Sequence, residues 1–299
     1  MSKQTVTTHI PSPRSASQRP TRARVAGVVL AFAVAALAGC ASSNDLSKAL
    51  NPDPPEKMFA DADALMSRGR FEDAAKKFEE IDRDHPYAPE ARRATVLAAY
   101  ANYKGGKLPE AIAGAERYTT LHSGTKEAAL AQHIIASSYY EDIRGPQRDQ
   151  GTTKKALAAY RTLKTRYPDS TYAKDADNRI RICEDTIAAS EMEVGRYYIK
   201  KRQFPAAINR FKTVVTEYQT TAHVEEALMR LTEAYLSLGI ANEAQNAAAV
   251  LGHNYPDSKW YRDAHGLLAA GGLAPREQDG SWLSRTWRSL PKFSLGGPG

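Results

Sequence analysis

The residue types that carry chemistry are present in this chain, but their spacing does not form a catalytic pattern. The stretch from Lys104 to Lys107 lacks the earlier glycine and the Ser or Thr of a phosphate-binding loop. The histidines show no metal-ligand spacing along one helix. The acidic residues between Glu79 and Asp84 fit the solvated face of an amphipathic helix. The sequence therefore predicts no enzyme, no catalytic residue and no metal site.

The two cysteines of the chain stand in different surroundings. Cys183 has isoleucines three residues before it and four residues after it, on one face of a helix, so we expect a buried thiol. Cys40 follows an apolar segment of 15 residues, from Val25 to Gly39. Such a segment rises only about 22 Å as a helix, which is less than the ~30 Å core of a bilayer. It therefore predicts an export signal rather than a membrane-spanning helix.

The residues Leu37-Ala38-Gly39-Cys40 resemble the bacterial lipobox, the pattern that the lipoprotein signal peptidase processes. The resemblance implies that Cys40 carries an S-diacylglycerol group and, after cleavage, an N-acyl group; no other cofactor is expected. Residue 41 is Ala, not the Asp that retains many such lipoproteins in the inner membrane. The expected location is the periplasmic face of the outer membrane, with the lipid as the membrane anchor.

The distribution of charge argues against a nucleic-acid partner. The whole chain has a formal net charge of +7, from 41 basic and 34 acidic residues. Five of the basic residues and none of the acidic ones lie in residues 1–39, so 36 basic residues remain beyond that segment. A nucleic-acid-binding surface needs a basic patch that the mature protein retains. No nucleic acid is therefore expected to bind.

A repeated spacing organises most of the remaining sequence. Similar helix starts, each with an alanine three positions later, recur at residues 71, 108, 153, 204 and 241. Helix stops recur at His85, His122, Tyr167, Tyr218 and Tyr255. Both series have the spacing 37, 45, 51 and 37. Because two independent landmarks share one spacing, they indicate one repeated structural unit.

Each unit is predicted to be a pair of helices, A and B, at Glu56–Arg68 and Phe71–Asp84 in the first copy. This pattern resembles the tetratricopeptide repeat, whose helix pairs stack into an α-solenoid. We expect an all-α fold of five pairs, closed by a capping helix at Ser258–Ala270. The longer intervals predict a loop at Arg144–Gly151 in unit three and a fourth helix A of about 30 residues within Thr171–Lys201.

The sequence divides accordingly into a lipoprotein signal peptide (1–39), a Pro-rich tether (40–55), N-terminal repeats one to three (56–170), C-terminal repeats four and five with the capping helix (171–270), and a flexible basic tail with tryptophans (271–299). Gly271 and Gly272 are expected to isolate any short tail helix from the repeats. We expect the tail tryptophans to be buried only on a lipid surface or in a partner, with disorder as the alternative.

Two tyrosine pairs are the candidate peptide-binding residues of the N-terminal repeats. Tyr100 and Tyr103 end helix A of unit two, and Tyr139 and Tyr140 end helix A of unit three. Solenoids present a binding surface made of such helices. We expect one tyrosine of each pair to pack inside and the other to face a groove and an extended peptide. Packing alone remains the alternative for all four residues.

Several stretches are similar to the family of outer-membrane assembly lipoproteins called BamD. They are the Pro-rich 51–56, 99–104 with its two tyrosines, 166–176 around Tyr-Pro-Asp-Ser, and 194–198. The resemblance implies that the C-terminal half binds periplasmic domains of the barrel-forming assembly subunit and that the N-terminal half receives unfolded outer-membrane proteins. It also implies a partner contact at Lys201, beside Tyr197 and Tyr198. The alternative is another periplasmic repeat scaffold, such as the envelope-constriction coordinator of the Tol system.

Overall fold

The computed structural model describes residues 52–278 and 280–289. The chain divides into Met1–Asp53 and Pro54–Gly299, and the description below concerns the second part. Its α-helices are α1 (Pro55–Ser67), α2 (Phe71–Asp84), α3 (Pro89–Lys104), α4 (Leu108–Leu121), α5 (Ala128–Glu141), α6 (Gly151–Arg166), α7 (Ala176–Lys200), α8 (Phe204–Glu217), α9 (Val224–Ser237), α10 (Ala241–Asn254), α11 (Lys259–Ala270) and α12 (Trp282–Ser289). No strand occurs among the described residues, which confirms the all-α prediction.

The predicted boundaries of the B helices are confirmed. Helices α2, α4, α6, α8 and α10 each end one residue before a predicted stop. At every stop the backbone N–H donates to the carbonyl four residues earlier and the chain then turns. These stop residues are His85, His122, Tyr167, Tyr218 and Tyr255. Four B helices also begin at the predicted residue, and α6 begins two residues early, at Gly151.

One turn joins helix A to helix B in four of the five units and recurs after the capping helix α11. The turn consists of the three residues that follow the helix. The backbone N–H of its third residue donates to the carbonyl five residues earlier, and its second residue has a positive φ. This is the turn that commonly ends helices at a glycine. The second residues are Gly69, Gly106, Gly239, Gly272 and, in unit four, Arg202. In unit three, residues 142–150 form the predicted loop instead.

From α1 to α11, each helix packs against the next in the chain, as expected for tetratricopeptide-like pairs, whereas α12 packs against α10. Small residues allow the close approach of neighbouring helices: Ala74, Ala111 and Ala207, near the starts of three B helices, are 0% exposed. The largest side chains fill the space between pairs. Phe78 and Phe211 are fully buried, and each contributes to a different cluster of core residues. The spacing of small and large residues thus positions the units along the chain.

Helix α7 is shorter than predicted. It has 25 residues instead of about 30, because Thr171–Ala173 form a 3-10 turn before it. The Ser170 hydroxyl accepts a hydrogen bond from the Ala173 backbone N–H at 3.2 Å. This side chain satisfies an amide that would otherwise need a helix cap, and the α-helix begins only at Ala176.

Three acidic residues of α7 stand seven positions apart and pair with the flanking B helices. The pairs are Asp177 with Lys164, Glu184 with Arg161 at 2.7 Å, and Glu191 with Arg210 at 3.1 Å. Seven residues return a helix to nearly the same face. Helix α7 therefore connects α6 of unit three to α8 of unit four along a single face.

The tail contacts the repeats, so the expectation that glycines isolate it is wrong. Leu283 is 0% exposed, and Trp282 and Trp287 pack against the C-terminal core. The Ser281 hydroxyl accepts a hydrogen bond from the Leu283 N–H at 3.1 Å and so caps α12. These tryptophans are therefore partly buried on the protein itself. Periodicity alone could not show that Lys212 of α8 and Tyr235 of α9 contact Trp282.

Candidate functional site

The lipid-attachment residue Cys40 lies outside the described residues, so its modification stays a prediction. Cys183 lies in α7 and is 0% exposed. Burial raises the pKa of its thiol to about 11, which keeps the thiol protonated and unreactive at neutral pH. Within 52–278 and 280–289, no group of acidic, histidine or cysteine side chains is arranged to hold a metal ion. No helix in these ranges is long and apolar enough to cross a membrane.

The N-terminal tyrosine pairs lie at the ends of α3 and α5, and a hydrogen bond connects the two helices. The Tyr103 hydroxyl donates to a carboxylate oxygen of Glu141. Partial burial, together with this carboxylate, raises the pKa of the Tyr103 hydroxyl. The Tyr100 ring centre lies 6.4 Å from that of Tyr103. The structure thus brings these residues into one region.

The second pair is connected to helices α6 and α7. The Tyr140 ring packs edge-on against Tyr160 at 6.0 Å, and the Arg179 guanidinium carbon lies 4.5 Å from the Tyr140 ring centre. Arg179 also donates to Asp175 at 2.9 Å. The Tyr139 ring lies 5.4 Å from the Lys155 ammonium. One cationic side chain therefore lies against each ring of this pair.

All four tyrosines, Tyr100, Tyr103, Tyr139 and Tyr140, are partly buried. The expectation that one member of each pair is inside and one outside is therefore wrong. Each ring packs against the core of units two and three while part of it stays accessible. The sequence missed Glu141 and Arg179 because their contribution depends on which face of α5 and α7 meets the neighbouring helix.

The predicted partner-contact residues lie at the C-terminal end of α7. Tyr197 is 56% exposed, whereas Tyr198 is partly buried against the C-terminal core. The Lys201 ammonium lies 5.7 Å from the Tyr197 ring centre, and the two tyrosine rings are 5.7 Å apart. A helix C-terminus favours cations. The basic turn, as we call Lys200 to Arg202, thus stands beside an exposed aromatic ring.

Arg202 has a backbone conformation that side chains rarely adopt. Its φ is +57°, at the position that glycine occupies in the other four copies of this turn. A left-handed conformation costs a residue with a Cβ about 1–2 kcal/mol. Arg202 is exposed and forms no ion pair within the described part of the chain. The fold therefore gives no reason for an arginine here.

Replacing Arg202 with glycine is expected to stabilise the protein by about 0.5–1 kcal/mol. Relief of backbone strain contributes about 1–2 kcal/mol, and the greater freedom of glycine in the unfolded chain offsets about 0.4–1 kcal/mol of it. A rise in the urea midpoint would show this gain. The matched control Gly239→Arg should lower the midpoint, and a lower midpoint for Arg202→Gly itself would contradict the strain.

Comparison with known proteins identifies the family. The sequence model of the YfiO family, described as outer membrane lipoprotein, matches residues 51–251. The "Outer membrane protein assembly factor BamD" of Caulobacter vibrioides is 41% identical over 251 residues, covering 84% of this chain and 82% of that protein. The protein of the same name from Rickettsia prowazekii is 34% identical over 232 residues, covering 78% and 92%.

Among solved structures, a thermophilic tetratricopeptide repeat protein from Thermus thermophilus is similar with a TM-score of 0.33 and 19% identity, covering 72% of this chain and 100% of that one. The helix pairs themselves, rather than this superposition, define the fold. The similarity to assembly factors does not favour the Tol-linked coordinator that the sequence left open. The match to residues 51–251 and the 41% identity to a curated relative place this chain in the YfiO family of outer membrane lipoproteins.

Proposed function

We propose that this protein is a lipid-anchored assembly factor of the outer membrane. In this proposal it binds periplasmic domains of the barrel-forming assembly subunit and receives unfolded outer-membrane proteins. The observation that carries the proposal is the 41% identity, over 84% of the chain, to a relative named as an outer membrane protein assembly factor. Paired helices without a metal cluster in the described ranges fit a binding role.

The C-terminal half offers a surface with the chemistry that a partner contact needs. The Lys201 and Arg202 side chains are exposed, and neither forms an ion pair with an acidic residue in the part of the chain that the structure describes. The exposed ring of Tyr197 adds apolar surface next to them. Aromatic and arginine side chains are enriched where proteins meet. An acidic segment of the assembly subunit would complement this turn.

Reversing the charge of Lys201 is expected to reduce recovery of the barrel-forming subunit. In a pull-down from detergent-solubilised envelopes, Lys201→Glu should lower recovery at least about ten-fold, since a lost charge pair at an interface costs about 2 kcal/mol or more. The helical circular dichroism should stay unchanged. Lys154→Glu, at an exposed position of α6, is the matched control. Equal recovery by both variants would contradict a contact at this turn.

The N-terminal tyrosines are the proposed client-binding residues. Tyr100, Tyr103, Tyr139 and Tyr140 combine accessible ring surface with hydroxyl groups, which suits an extended peptide that carries both apolar and polar groups. Arg179 and Lys155 stand on the rings of the second pair. These two cations would favour a client segment that is acidic, or that ends in a carboxylate, next to Tyr139 and Tyr140.

Anchoring by Cys40 is tested by removing the thiol. We expect Cys40→Ala to abolish lipid attachment and to remove the protein from the outer-membrane fraction, because each buried methylene of an acyl chain adds about 0.8 kcal/mol of membrane affinity. Fractionation with labelled fatty acid measures both effects. Mature, unlabelled variant protein that remains in the outer membrane would contradict the anchor.

A further inference from the structure

Helix α10 carries a buried amide whose partners are in the tail. Asn246 is 0% exposed. Its Nδ2 donates to the Ser281 hydroxyl at 2.8 Å. Its Oδ1 accepts from the Gln278 N–H at 3.0 Å and from the Ser284 hydroxyl at 2.8 Å. Within the described ranges, these three hydrogen bonds of the Asn246 amide all go to the tail.

Side chains from three helices contribute to the same site. The tail-binding site consists of Lys212 of α8, Tyr235 of α9, and Glu243 and Asn246 of α10. The Trp282 indole N–H donates to the Tyr235 hydroxyl at 3.0 Å, and the Lys212 ammonium lies 4.3 Å from the Trp282 ring centre. The Ser281 hydroxyl donates to Glu243 at 2.7 Å. Each residue of the Ser-Trp-Leu-Ser stretch therefore meets a specific group or, for Leu283, a fully buried pocket.

The same contacts indicate that docking can reverse. Leu283 is the fully buried apolar side chain of α12. Trp282 and Trp287 are only partly buried against the core, and the remaining contacts of the tail are hydrogen bonds. Helix α12 has eight residues, fewer than the ~12–15 that an isolated helix needs in water. Its helical form therefore depends on docking. When α12 leaves, the polar groups of the tail-binding site lose their hydrogen-bond partners. They then favour another helix that carries the same hydrogen-bonding groups.

We propose that the tail-binding site is a recognition site for a short, serine-capped amphipathic helix. The chain's own residues 278 and 280–289 occupy it, and a helix of the same pattern on another polypeptide exchanges with them. Asn246 provides specificity because its amide forms hydrogen bonds with two serines and one backbone N–H at once. An arbitrary apolar helix cannot form these hydrogen bonds. This inference does not depend on the assembly function.

The experiment uses the mature chain and a fluorescent peptide with the sequence of residues 278–289. Leu283→Asp places a charge in the buried pocket and so removes the chain's own occupant. We expect the peptide to bind this opened variant at least about ten-fold more tightly than the wild type. In the wild type the chain's own tail competes for the site and lowers the apparent affinity for the peptide. Adding Asn246→Ala should abolish binding. Arg285→Ala, at an exposed position of α12, should bind as the wild type does.

An opened variant that is folded but binds the peptide no better than a scrambled control would overturn the proposal. If Leu283→Asp does not fold, hydrogen exchange of the unaltered chain decides. Amides at 285–288 should then exchange at least about ten-fold faster than those in the middle of α10, because opening is local. Equal rates would make the tail a fixed part of the fold and would also overturn the proposal.

Discussion

Insertion of two alanines after Ala189 is expected to break the connection between the N-terminal and C-terminal halves. Two residues rotate the rest of α7 by about 200°. Met192, which is 0% exposed, would then face solvent, and Glu191 would leave Arg210. Exposing one buried methionine costs about 2–5 kcal/mol. We therefore expect two separate unfolding transitions in place of one, and loss of the assembly subunit in pull-downs.

A seven-residue insertion at the same position is the matched control. Seven residues rotate the downstream part of the helix by only about 20° from its original phase, so Met192 and Gly195 stay on the face that packs against α8. We expect this variant to unfold near the wild-type temperature in a calorimetric scan. If both insertions behave alike, the two halves fold and bind independently, and the phase of α7 has no effect.

Replacing Gly195 with alanine is expected to destabilise the protein by about 1–2 kcal/mol. A Cβ at this position would lie 2.6 Å from the Phe211 Cζ, and that ring is 0% exposed and cannot move freely. Overpacking of a core costs about 1–3 kcal/mol, occasionally more. Alanine gains about 1 kcal/mol of helix propensity over glycine, but a contact this short should outweigh the gain. Urea denaturation measures the difference.

Two further variants separate the steric effect from the propensity. Gly266→Ala, in α11, places its Cβ where no atom lies within 4 Å, so it should stabilise by up to about 1 kcal/mol. Phe211→Leu removes part of the opposing ring. The double variant, Gly195→Ala with Phe211→Leu, should be destabilised by about 1 kcal/mol less than the sum of the two single variants. Strict additivity would show that the alanine does not contact the ring.

The B helices were predictable because their boundaries depend on local chemistry. Proline and the residue before it restrict the backbone after Arg166 and Asn254, and a serine can cap the following turn. Ser258 does so, with its hydroxyl accepting from the Trp260 N–H at 3.2 Å. The family was predictable from the same landmarks together with the lipobox-like sequence, and the comparisons confirm it.

Features that depend on contacts between distant segments were not predictable. Tyr103 reaches Glu141 across 38 positions of the chain, so the burial of each tyrosine follows from the packing of α3 on α5. The tail meets α10 across 35 positions, from Asn246 to Ser281. A serine and a tryptophan in a short polar segment do not reveal their partners. The strain at Arg202 was equally hidden, because it is a backbone property.

The loop at residues 142–150 differs in kind from the five three-residue turns, and this sets where the chain can be altered. Each of those turns is three residues long and fixed by paired backbone hydrogen bonds, so an added residue there would disturb two helices at once. The loop is longer, and its residues Arg148 and Asp149 are exposed. It is therefore the site in the repeats at which a spectroscopic label or an epitope is expected to leave the units intact.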